Sequence, residues 1–150
     1  MKAKHEIEHL MSQYSFMVDT GNFEGYANLF EHAKWISEGH MELTGKQEIL
    51  NALSNMIIYE DGTPRTKHVS ANIDIIINDD KKTATAQSYI TVFQQTTDFP
   101  LQPIFCGHYF DEFKIIDGVW CFTSRIVRHG LVGDTRYHMK PSFNLTSKEA

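Results

Sequence analysis

The dipeptide Asp117-Gly118 lies between two long strand-like runs, residues 107–116 and 119–128. An Asp-Gly pair tolerates positive φ at both central positions of a two-residue turn whose twist matches its flanking strands, so these runs are expected to pair as an antiparallel hairpin. Pairing Ile116 with Val119 sets Cys121 opposite Lys114 and Cys106 opposite His129. The two cysteines then lie too far apart to bridge, and two thiols do not make a disulfide framework. Paired residues share a face, so the hairpin also sorts its side chains. Trp120, Phe122, Ile126, Phe113, Ile115 and Tyr109 are predicted to point inward with Asp111, Ser124 and Arg128. Lys114, Glu112, Arg125, Thr123 and His129 are predicted to point outward, together with Phe110 and Val127. An inward acid and an inward arginine among large aromatics suit either a pocket with apolar walls or an ion pair at the edge of the core.

The other segments build around this hairpin. Residues 66–78 and 83–95 read as two more long strands, and the hairpin strands extend to 103–116 and 119–132. Upstream, Ile7, Leu10, Met11, Tyr14, Met17 and Val18 recur at helical spacing over residues 3–20, and Gly21-Asn22 stops the run. A short helix is predicted over 22–30, capped by Asn22, and another over 46–58 after Thr44-Gly45; residues 34–44 read as two short strands around Gly39. Helices followed by an antiparallel meander imply an α+β fold, with helices covering one face of a curved sheet. A chain of 150 residues with 41% hydrophobic content buries one sizeable core, so one domain is expected over residues 1–132. The tail, 133–150, contains Pro141 and several Ser, Asn and Lys residues, a composition compatible with partial disorder.

Several function classes fall away on charge and motif. The net charge is -5, and the basic residues Lys34, Lys46, Arg65, Lys81 and Arg125 are scattered, which argues against a nucleic-acid footprint. The N-terminus has no apolar leader and no window is apolar enough to span a membrane, so a cytoplasmic protein with no membrane partner is expected. The eight histidines show no zincin or finger spacing, and His5 with His9 lack further ligands in sequence. No structural metal is expected.

Two proton-handling residues stand out. Asp19 ends the apolar run Tyr14-Ser-Phe-Met-Val-Asp19, and His68 opens a strand in Thr66-Lys-His-Val-Ser-Ala-Asn72. A carboxylate beside an apolar stripe is costly to desolvate without a partner, and a histidine partner makes it useful. If the fold brings them together, Asp19 can fix the tautomer of His68 and stabilise the imidazolium formed when His68 removes a proton. Simpler roles compete with this one. Asp19 can cap the turn after its helix, Tyr14 can be an ordinary core aromatic, and His68 shares its parity with the polar Ser70, Asn72 and Asp74. The opposite parity carries Val69, Ala71, Ile73, Ile75 and Ile77. If the polar face lines a cavity, this apolar set needs cover from a second copy.

The order of these signposts resembles the SnoaL-like branch of the nuclear-transport-factor-2-like superfamily, over about residues 5–132. The matching pieces are Asp19 followed by Gly21-Asn22-Phe23, the segment from Lys34-Trp35 to Gly39, Gly45 before the third helix, Thr66-Lys-His68 with Asn72, Gly107-His-Tyr109-Phe-Asp111, and Asp117-Gly-Val-Trp120 leading into Arg125 and Arg128. The resemblance implies a cone-shaped fold with three N-terminal helices. Its enzymatic patterns are similar to scytalone dehydratase, bile-acid dehydratase and hexachlorocyclohexane dehydrochlorinase, which are lyases that need no cofactor. By that likeness Asp19 and His68 form a general-base pair, and Tyr14 and Arg128 assist, with Arg125 a competitor for the arginine role. Asn72, Tyr89, Tyr109, Asp111, Trp120 and Phe113 would line a substrate pocket. The expected substrate is a small, largely apolar cyclic molecule that loses water or halide, or is isomerised. The same fold also hosts non-catalytic binding and assembly modules and the small subunits of ring-hydroxylating dioxygenases, and dimers and trimers both occur within it.

Overall fold

The computed structural model describes residues 1–141, apart from the side chain of His129, and is an α+β fold in which three helices pack against one side of a strongly curved sheet. Helix α1 runs Lys2–Thr20, α2 Phe23–Asn28 and α3 Gly45–Leu53; the strands are β1 Lys34–Ser37, β2 Met41–Thr44, β3 Thr66–Ile77, β4 Thr83–Thr96, β5 Phe99–Ile116 and β6 Val119–Val132. The sheet order is β2-β1-β6-β5-β4-β3. Its ladders are antiparallel except that β1 joins β6 in parallel. Ile7, Met11, Tyr14 and Val18 of α1 enter the core, which continues through Phe30, Ile49, Ile90, Ile104, Phe113 and Phe122.

The helix ends follow local chemistry. Gly21 takes φ 81, the left-handed conformation that closes a helix, and Asn22 N–H bonds back to Met17 C=O at 2.8 Å. Asn22 then caps α2 by accepting from Gly25 N–H. A Cβ added to Gly21 would stand 2.2 Å from the Gly62 carbonyl oxygen, so this glycine also lets the end of α1 press against the loop that enters β3.

The predicted hairpin forms, with Ile116 opposite Val119, Lys114 opposite Cys121, and both Asp117 and Gly118 at positive φ. Its register then departs from the ideal count at two bulges. Between the Phe113–Phe122 and Glu112–Ser124 pairs, β6 carries one extra residue, Thr123, and it carries a second between the His108–Arg128 and Cys106–Leu131 pairs. Cys106 therefore faces Leu131 rather than His129, and both cysteines remain free.

The first bulge inverts side-chain parity along β6 as far as the second bulge, beyond Arg128. Arg125, expected outside, is buried opposite Asp111; Arg128, expected inside, is partly exposed and pairs with Glu38 at 2.6 Å beneath the ring of Phe110. Strand β3 has a comparable irregularity. Between Ala71–Tyr89 and Asp74–Gln87 it gains one residue, with Asn72 at φ 55. Thr66 and His68 before the bulge and Ile75 after it thus share the inner face, although simple alternation separates them. The expected outer stripe of Ile73, Ile75 and Ile77 is not formed: Ile75 is buried, Ile77 is half-buried and Ile73 is exposed.

The chain beyond β6 does not leave the domain at once. Residues 134–140 fold back, with Ile57 N–H bonded to His138 C=O and Lys140 N–H to Asn55 C=O, both at 2.8 Å. The side chain of Gln94 donates to Tyr137 C=O and to Pro64 C=O, Tyr59 hydroxyl also donates to Tyr137 C=O, and Tyr137 stacks on Phe99. The remainder of the expected tail, 142–150, lies outside the described residues.

Candidate active site

Asp19 reaches β3 because the last turn of α1 lies against the start of that strand. Ser15 and Asp19, one turn apart, are both buried. The Asp19 carboxylate accepts three hydrogen bonds: Thr66 Oγ1 donates to Oδ1 at 2.8 Å, His68 N–H to Oδ2 at 2.7 Å, and His68 Nδ1 lies 2.6 Å from Oδ1. Burial alone pushes this carboxyl up. The bond from the imidazole, its charge, the backbone N–H and the Thr66 hydroxyl outweigh that push and hold the group below the usual carboxylate value. An ionised carboxylate only accepts, so Nδ1 carries the proton and Nε2 of the neutral ring holds the free lone pair.

His68 opens onto a cavity of about 200 Å³. Val18, Leu43, Ile49, Leu53, Val92 and Ile104 give it apolar walls. Its polar lining comes from Tyr14, Tyr26 and Tyr109, from Ser37 and His40, and from Thr135 and His138 of the returning segment. Tyr14 is the hub of the aromatic cluster: its ring centroid is 4.7 Å from Tyr26, 5.8 Å from Tyr109 and 6.4 Å from His68, and its hydroxyl accepts from Trp35 Nε1 at 3.1 Å. Burial above all drives the Tyr26 and Tyr109 hydroxyls well above the ordinary phenol value, so both remain donors.

Behind the tyrosines sits a buried ion pair. Arg125 grips Asp111 through Nε at 2.8 Å and Nη2 at 2.7 Å, and its guanidinium lies 4.2 Å from the Tyr14 ring, 3.9 Å from Tyr109 and 5.0 Å from Phe122. Burial disfavours the charged guanidinium, but the charge and hydrogen bonds of Asp111 more than compensate and keep it protonated. Neither member lines the cavity; their cation backs the rings that do.

The residues singled out in the sequence therefore separate into groups. Tyr14, His68 and Tyr109 line the cavity, with Asp19 directly behind His68. Asp111, Phe113 and Trp120 are core residues away from the cavity wall. Asn72 is exposed at the β3 bulge, Tyr89 is 53% exposed on the outer face, and Arg128 is turned outward by the β6 bulge, so none of these three reaches the cavity. The sequence reading missed His138. Its signal was the Tyr-His-Met triplet at 137–139, two anchor-sized apolar residues flanking a histidine in an otherwise polar tail. Burial is the main cause that lowers this imidazole from 6.5 to about 4; the charge of His68 adds to the effect, and Asp19 opposes it. No group of acid, histidine and cysteine side chains suited to a metal ion occurs among the described residues, and no described helix is long and apolar enough to cross a membrane.

Solved structures with this architecture are numerous. A putative scytalone dehydratase from Novosphingobium aromaticivorans superposes with a TM-score of 0.70 at 24% identity over 95% of each chain. A variant of Rv3472, a protein of unknown function from Mycobacterium tuberculosis, gives 0.73 at 20% identity over 99% of this chain and 80% of its own. LinA gives 0.68 at 19% identity over 88% and 90%. At these identities the likeness establishes the fold alone, and no curated protein matches the sequence. Residues 1–126 match the SnoaL-like domain, and with that domain carrying the helices and most of the hollow and of the sheet, the chain belongs to the SnoaL-like family.

Proposed function

We propose that this protein is a lyase that needs no cofactor and eliminates water, or alternatively halide, from a small, largely apolar cyclic substrate. The observation that carries the reading is the 2.6 Å contact between Asp19 Oδ1 and His68 Nδ1 inside an apolar hollow. His68 Nε2 takes a proton from an activated C–H, the C–H electron pair becomes the new C=C bond, and the bond to the leaving group breaks with its pair. In dehydration the imidazolium returns that proton to the departing hydroxyl, which leaves as water. In dehydrohalogenation halide departs and the proton passes to solvent. Asp19 holds the ring in the productive tautomer and balances the imidazolium charge. The hydroxyls of Tyr14, Tyr26 and Tyr109 are the donors available to developing negative charge, and the Arg125 cation behind two of their rings strengthens them. The apolar walls keep competing water out.

The test is a screen of cyclic β-hydroxy ketones and chlorinated rings, followed by variants on any substrate found. His68→Ala is expected to remain folded by circular dichroism and to lose all detectable turnover. Asp19→Asn is expected to lose turnover by about 10²–10⁴-fold, the range set by general-base and tautomer effects. Undiminished turnover in His68→Ala ends the proposal. Ligands that bind in the cavity yet are never converted would assign the site to a binding module instead.

A further inference from the structure

The segment that folds back after β6 brings a histidine into the cavity that the elimination scheme does not use. Its backbone is fully committed: His138 N–H bonds to Thr135 C=O at 3.0 Å and its C=O accepts from Ile57 N–H at 2.8 Å. Flanking contacts pin it on both sides, through Tyr137 stacked on Phe99 at 4.8 Å and Lys140 Nζ bonded to Ser54 C=O at 2.7 Å. The imidazole is thus presented from a fixed base. It lines the same cavity as His68, and its Nδ1 is shut off from solvent with no hydrogen-bond partner among the described residues. An imidazole with a nitrogen left unmatched at the wall of a ligand-sized hollow costs folding free energy, and a ligand seated against the ring can supply a hydrogen-bond partner.

We propose that His138 is a ligand-contacting residue whose neutral imidazole hydrogen-bonds an oxygen function, hydroxyl or carbonyl, of a cyclic molecule held in the cavity. This extends the elimination reading and rests on it only in taking that oxygen to be the one where negative charge gathers. The two histidines differ in environment in a way that suits separate tasks. His68 has a carboxylate to balance a proton it acquires; His138 has none in hydrogen-bond contact, and burial above all, with the charge of His68 added, keeps its ring uncharged. An uncharged ring gives no special advantage to an anionic ligand, so the contact favours alcohols, phenols and ketones over carboxylates.

The probes are 2-naphthol and naphthalene, which differ by one oxygen, and the measurement is calorimetric affinity for the intact protein. Wild type is expected to bind 2-naphthol about tenfold more tightly than naphthalene, the scale of one neutral hydrogen bond in a buried site. In His138→Leu that preference should vanish, and in His138→Gln, which keeps a donor and an acceptor, it should largely return. A second readout uses the unaltered protein: the ring ¹⁵N shifts of His138 should move on adding 2-naphthol and stay put with naphthalene. A wild type without the preference, a preference that survives His138→Leu, or ¹⁵N shifts indifferent to the oxygen would each overturn the proposal. These readouts need no turnover, so the His138 contact and the elimination chemistry can fail independently.

Discussion

Arg125 shows how much a single buried charge commits its surroundings. Its guanidinium is 1% exposed, held side-on by Asp111 and enclosed by three aromatic rings. Such a pair adds little net stability over an apolar replacement of similar size, because desolvating two charges offsets most of their attraction. Removing one partner is another matter, since the remaining charge is stranded. Arg125→Met should therefore destabilise the fold by about 3–5 kcal/mol, and adding Asp111→Leu to it should recover most of the loss. Urea unfolding of the two single variants and the double variant measures the coupling; a double variant no more stable than Arg125→Met would mean that the aromatic packing around the arginine, not the stranded carboxylate, sets the cost. Of the two rivals for an interior position, strand parity favoured Arg128 over Arg125, and neither residue type nor neighbours warned that the structure would reverse them.

That ambiguity belongs to the elements, because parity along a strand holds only until a bulge. The hairpin turn was legible in Asp117-Gly118, and the pairing of Lys114 with Cys121 follows directly from it. Beyond Thr123 the alternation inverts, and nothing at Thr123-Ser124 resembles the glycine or proline that usually betrays a bulge. In β3 the extra residue near Asn72 lets His68 and Ile75 share the inner face, which resolves the conflict between a polar and an apolar stripe on one strand. Helical periodicity gave all three helices, yet the meeting of Asp19 with His68 depends on how α1 docks, and the sequence carried that only as Gly21-Asn22. Docking supplies its own test. In Gly21→Ala the new methyl meets left-handed strain and also the Gly62 carbonyl 2.2 Å away, whereas Gly39, at φ 79, has open space around it. Gly39→Ala should cost about 1 kcal/mol from the backbone alone, and Gly21→Ala at least about 2 kcal/mol, with the excess coming from displacement of the loop. Equal losses in denaturant midpoint would show that the close approach at Gly62 carries no energetic weight.

At the scale of the molecule, one hollow couples the tail to acid stability. The returning segment buries His138 beside His68, and burial is the main reason its imidazole falls from 6.5 to about 4. Between those two values the unfolded chain holds a proton at this site that the folded chain refuses, so stability rises with pH across the window. The contribution is complete above about pH 6.5 and is lost as pH falls toward 4; a depression of that size corresponds to about 3 kcal/mol. Asp19 acts lower on the scale. Its folded carboxyl sits below 3.8, so the stability it adds is present above that value and disappears as pH falls through the folded pKa. Wild type should accordingly lose urea resistance in two stages, one between pH 6.5 and 4 and one below 3.8. His138→Leu should flatten the first stage and leave the second, while Asp19→Asn should remove much of the second. Parallel curves for wild type and His138→Leu between pH 6.5 and 4 would mean that the imidazole titrates as freely in the folded protein as in the unfolded chain, and hence that the returning segment does not seal the cavity against water.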